Sequence, residues 1–217
     1  MNINKLRYGY SIFILPACIF LQSCGVRAQP VDSPLIDLYA SPAAVAWLEP
    51  AYTCARQNDA NLRITNSDEA DIILQIDESA SLASPAYQIG MEEVMVAANK
   101  DSILTEMELE QTRSLFAGQG DPSIQVWVYP AGYDLQVAFD RQVMAGRPVS
   151  SKARLSVSPE QVADLINTQP DVVGILTREW MPAEARVIFN LGQVPVLAIT
   201  KPEAQDVIQE IIDCLQK

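Results

Sequence analysis

The chain has 217 residues, 49% of them hydrophobic, enough to build one large or two small packed domains. Its formal net charge of −12 repels phosphate backbones and anionic headgroups, which excludes nucleic acid as a partner. It contains no histidine, which excludes histidine-based catalytic triads and histidine-ligated metal sites.

The first residues read as an export signal. Lys5 and Arg7 are basic, and Ile12 to Leu21 is an apolar core interrupted by Pro16, too short for a permanent membrane span. Leu21-Gln22-Ser23-Cys24 resembles the lipobox of bacterial lipoproteins, with cleavage before a lipidated Cys24. An ordinary signal peptide with a coincident Cys is the alternative. Removing residues 1–23 takes away two cations and no acid, so −12 becomes −14. The expectation is an extracytoplasmic protein anchored to the bacterial cell membrane by several acyl chains on one residue. Residues 24–34 form the tether, and the membrane is a partner only through that anchor.

Cys18 leaves with the signal, and Cys54 and Cys214 remain in a compartment that permits oxidation. A bridge between them would close a loop of about 160 residues. Two buried thiols acting as small hydrophobes are the other reading.

The elements follow in order. Residues 36–40 read as a strand. Ser41-Pro42 looks like an N-cap followed by proline at the first helical position, opening a helix through Cys54 that bends at Pro50. Strands are predicted at 62–65 and 71–76, the second nearly continuous in apolar residues, as buried parallel strands are. The stretch 79–85 reads as loop, and 93–98 as a fourth strand. Thr105 to Glu108 has the spacing of a capping box and heads a helix that stops at Gly118. A strand at 124–128 breaks at Pro130-Ala131-Gly132 and turns into a helix. Ser158 to Gln161 is a second capping box. Strands at 172–176, 187–189 and 194–199 follow, and Pro202 opens the last helix. Strands alternating with helices argue for an α/β fold with mixed, mainly parallel sheets flanked by helices. Two smaller sheets fit better than one if the chain crosses between lobes.

The order of pieces resembles phosphate-type solute-binding proteins of ABC transporters, a two-lobed, type 2 periplasmic-binding-protein-like fold. The residues that carry the resemblance are Val94 to Lys100, then Met107 to Gly118, where Met107, Gln111, Leu115, Phe116 and Gly118 fall at the spacing of the family's Leu-x-x-x-Gln-x-x-x-Ile/Leu-Phe-x-Gly. They continue through the strand and loop up to Asp134, Ala138-Phe139, and Asp171 to Ile175. The likeness covers roughly 36–180 and is strongest from 94 to 177. It implies lobe one at 35–92 plus 184–217, lobe two at 93–183, and a ligand in the cleft. It also brings the last helix back to lobe one, which would place Cys214 near Cys54.

The binding loop departs from that pattern. Where the family typically reads Ser-Gly-Thr-Arg, this chain has Ala131, Gly132, Tyr133 and Asp134. Both hydroxyls and the guanidinium are gone, and Asp134 can accept the N–H groups of its own helix start. Ser41 and Ser79 mark the matching first-lobe loops, and Arg178 is the cation expected near the cleft. The resemblance implies a membrane-anchored solute-binding protein whose ligand is a small solute such as an oxyanion, with phosphate itself disfavoured. An ABC permease is the implied partner, and no cofactor or metal is implied. The alternative is a degenerate binding fold used as a non-transport sensor or envelope interaction module. An enzyme is not expected: Glu92 and Glu93 point to opposite faces of a strand, and Ser41 and Ser79 have no evident base.

Overall fold

A computed structural model of the protein describes residues 33–77, 84–201 and 203–217. The signal, Cys24 and most of the tether lie outside the described residues, as do Ser79, most of its loop, and Pro202.

The strands are β1 Leu35–Ala40, β2 Asn61–Ile64, β3 Ile72–Ile76, β4 Ala86–Asn99, β5 Gln125–Val128, β6 Arg154–Leu155, β7 Val172–Thr177 and β8 Ala185–Thr200. The helices are α1 Leu48–Gln57, α2 Leu109–Ser114, α3 Asp134–Phe139, α4 Pro159–Thr168 and α5 Asp206–Leu215. All eight strands hydrogen-bond into one sheet in the order β2-β1-β3-β8-β4-β7-β5-β6. Four of its seven pairings are parallel: β1 with β2, β1 with β3, β5 with β6, and β5 with β7. The two halves expected as smaller sheets are therefore flanks of one sheet, joined through the antiparallel pair β4 and β8.

This arrangement creates a waist. Because β3 is antiparallel to β8, β8 to β4, and β4 to β7, the parallel strands of the two flanks run in opposite directions. Their carboxyl ends face each other across the central pair. The end of β3 lies level with Gly90 of β4, since Ile76 and Gly90 both pair with Val196. The end of β7 lies level with Val94, which pairs with Thr177. Four residues of strand, about 13 Å, separate the two ends. A crevice between facing carboxyl ends is where open α/β sheets place ligands.

Burial explains the sequence pattern. Every residue of β7 is buried, as in a strand covered on both faces. Gly174 lets α4 approach closely: a Cβ there would meet Val162 Cγ1 at 2.4 Å. Fully burying each Leu, Ile or Phe of the core contributes about 1.5–3 kcal/mol. Cys54 and Cys214 form the bridge between α1 and α5, with Cα atoms 5.7 Å apart.

Beside the earlier start of β4, at Ala86 instead of 93, and the later start of α5, at Asp206 instead of Pro202, four elements differ from expectation, each for a local reason. Ser41-Pro42 closes a turn instead of a helix: Ser41 Oγ accepts the Ala44 N–H at 3.2 Å, and α1 starts only at Leu48 after a tight 3₁₀ turn. Pro50 then falls in the first turn of α1, where a missing N–H costs nothing. The Thr105 capping box does not form. The Met107 N–H is held by the Ile188 carbonyl at 2.7 Å, so the cap moves to Glu108, reciprocated by Gln111. The strands expected at 187–189 and 194–199 are one strand, β8, because Gly192 adopts φ 101° and carries the ladder through an irregularity. At Ser158 the box is half made: its hydroxyl accepts the Gln161 N–H, while the Gln161 side chain accepts from Ser156.

Candidate functional site

The loop from β5 to α3 begins at the buried Tyr129, whose hydroxyl donates to the Ile175 carbonyl at 2.6 Å. Its N–H is taken by the buried Gln136 side chain at 2.9 Å. These two bonds fix the loop against β7 and aim its next residues at the crevice. Gly132 takes φ 93°, a conformation in which a side chain would be strained. Tyr133 stacks on Tyr129, ring centroids 6.0 Å apart, and donates to the Val157 carbonyl at 3.0 Å.

Asp134 is the first residue of α3, and its carboxylate crosses the crevice. One oxygen, Oδ1, accepts the Leu135 N–H at 2.8 Å, the helix-start role anticipated from the sequence. The other, Oδ2, accepts the Ser41 hydroxyl at 2.5 Å and the Ile76 N–H at 2.8 Å. Ser41 follows β1 and Ile76 ends β3, so a side chain of one flank is seated on donors of the other. Burial pushes the Asp134 carboxyl above the usual aspartate range, against the Ser41 hydroxyl and the amides, which pull it down. Burial also raises Tyr39, with the Asp134 charge second.

One turn-pair further along, Arg141 reaches both carboxylate oxygens of Asp77, the residue after β3. Asp77 is only 2% exposed and has φ 64°. α3 and the wider helical turn that continues it through Met144 are thus joined to the end of β3 at two points.

The predicted residues divide. Ser41 and Asp134 meet directly, with Tyr133 beside them. Ala131 instead lines a cavity of about 460 Å³ with Tyr129, Gln136, Asp140 and Arg147, and neither Ser41 nor Asp134 lines it. Arg178 pairs with Glu93 of β4 at 2.8 Å, not with its neighbour Glu179, and Asn190 holds the other oxygen of Glu93. Ser79 lies outside the described residues. The sequence reading missed the Ile76 amide, Asp77 and Arg141. Arg141 had a signal: it lies seven residues after Asp134, two turns along the same helical face. At the waist, the Trp47 indole N–H donates to Glu92 at 3.0 Å, while Glu93 faces Arg178. The hydroxyl of the buried Thr177, at the end of β7, has no partner among the described residues, nor has the buried indole nitrogen of Trp180. No group of three or more acids or thiols among the described residues is placed to hold a metal.

No protein-family model and no curated protein sequence matches this chain. Solved structures match its fold. One is described as a phosphate ABC transporter substrate-binding protein with bound phosphate, from Clostridium perfringens. It has a TM-score of 0.73 at 12% identity over 83% of this chain and 92% of that one. An ABC-type phosphate transport receptor from Vibrio cholerae gives 0.62 at 14% identity, over 84% and 93%. The CcmR regulatory domain of Synechocystis, in complex with 2-PG, gives 0.62 at 12% identity, over 85% and 96%. The fold of this chain is that of periplasmic-binding-protein-like domains, which transport receptors and regulatory domains share.

Proposed function

We propose that the chain is an extracytoplasmic solute-binding protein, tethered through Cys24, whose working part is the crevice at the waist and whose solute is not phosphate. The observation that carries this reading is the convergence of Ser41, Ile76 and Asp134 between facing strand ends. The carboxylate already there opposes a dianion in a poorly screened crevice. The carboxylate favours a neutral or cationic solute, and the unpartnered Thr177 hydroxyl at the end of β7 is a group that such a solute would engage. The lobes at 35–92 plus 184–217 and 93–183 would close on that solute, and an ABC permease would read the closed form.

A thermal-shift screen of small metabolites tests this. A solute at 100 times its dissociation constant adds about 2.7 kcal/mol, raising the midpoint by roughly 5–10 °C. No response to any neutral or cationic solute would reject the reading. The second reading is a non-transport sensor or envelope interaction module. It is favoured by the seating of Asp134, which fills the crevice from within. Fold does not choose between the two.

A further inference from the structure

We infer that Asp134 is a tethered ligand: its carboxylate sits between the flanks where a free oxyanion would sit, and it holds the crevice closed without any solute. This rests on the reading that the crevice is the working site, and goes beyond it by giving the closed form an internal cause.

The geometry is that of a bound carboxylate. Oδ2 takes a hydroxyl and a main-chain N–H from segments 93 and 58 residues away. Oδ1 takes an amide of its own helix. Ser41 is prepared for this contact. Its N–H is fixed by the Leu74 carbonyl at 2.9 Å, and its Oγ accepts from Ala44, so the hydroxyl proton points to Asp134. The Arg141–Asp77 pair closes the same seam one step outward and satisfies a buried carboxylate. A seat whose donors are engaged by the chain's own acid offers no place to a second acid. The consequence is a binding fold that is closed at rest and insensitive to free oxyanions, in which opening means releasing Asp134.

The test is amide hydrogen exchange at Ile76 in the full-length chain, for wild type and Asp134→Ala, with inorganic phosphate or acetate against chloride at matched ionic strength. Wild type should show a protected Ile76 amide that neither anion alters. Asp134→Ala should exchange there roughly tenfold faster or more, the loss of one charge-assisted hydrogen bond. Phosphate or acetate should slow it again by occupying the vacated seat. Unchanged exchange in Asp134→Ala overturns the inference, and so does wild-type exchange that slows with phosphate, because the seat would then be open. If Asp134→Ala does not fold, Ser41→Ala decides: it removes one donor and should also speed Ile76 exchange, and no change overturns the inference. A solute screen that fails on wild type leaves these outcomes untouched, so the two readings fail separately.

Discussion

Two long-range ties hold this molecule, and they act on different equilibria. The Cys54–Cys214 bridge joins α1 to α5 across 160 residues of sequence. It acts mainly by restricting the unfolded chain, worth about 5 kcal/mol for a loop of that length in the chain-entropy model. The Asp134 contact joins α3 to the ends of β1 and β3 across the crevice. Its donors could be hydrated in an open form that is still folded, so it chooses between two folded arrangements. One tie therefore sets whether the chain folds, and the other sets how the folded chain stands at rest.

The largest expected effect breaks the first tie. Cys54→Ser with Cys214→Ser should lower the thermal midpoint by roughly 10–20 °C. At temperatures where the variant remains folded, Ile76 exchange should stay at the wild-type value. Faster exchange there would show that the two ties are coupled, and the division drawn between them would fail.

A smaller effect is expected at the waist, which both flanks share. Gly90 of β4 lies under the Trp47 indole, and a Cβ there would sit 2.0 Å from Trp47 Cη2. Gly90→Val should cost about 1–3 kcal/mol through displacement of the ring, lowering the midpoint by roughly 5 °C. Adding Trp47→Ala should recover part of that loss, measured by the same melt. No recovery would mean that backbone conformation, not the ring, sets the requirement for glycine.

How much of this was legible in the sequence depends on which atoms do the work. Buried strands announce themselves by apolar runs, and β3 and β7 were readable for that reason. Ser41 and Asp134 were singled out because they occupy the loop positions of the resembling family, but as separate capping residues, and their bond across the crevice was not readable. The Cys pair was readable once Cys18 and Cys24 were assigned to the export signal and its anchor, with two buried thiols as the other reading that the bridge replaces. The Ile76 donor was not, since a main-chain N–H carries no residue signature. The partner of Arg178 was not either: Glu93 is brought to it by the β4–β7 register, 85 residues away, while Glu179 was adjacent in sequence. The unity of β8 was hidden because Gly192 looks like a break when the strand beside it is unknown. Local rules also misplaced the start of α2, because a tertiary bond from Met107 to Ile188 outweighs the Thr105 box.

The smallest effect is on titration, where two acids near the waist should move in opposite directions. Arg178 and Asn190 hold the Glu93 carboxyl below the ordinary glutamate value of 4.5. The stability this gives is present above pH 4.5 and is lost as pH falls through the folded-state value. Burial raises Asp134 above the ordinary 3.8. In the window above 3.8 the folded state keeps a proton that the unfolded state has released, so stability falls as pH rises through the folded-state value. Carboxyl-resolved NMR titration should therefore find Asp134 releasing its proton above pH 3.8 and Glu93 below 4.5. Asp134→Asn should remove the first of these pH-dependent contributions and leave the second in place. Titration of Asp134 below 3.8 would mean that the Ser41 hydroxyl and the amides outweigh burial. Its pH-dependent contribution to folding would then take the same sign as that of Glu93.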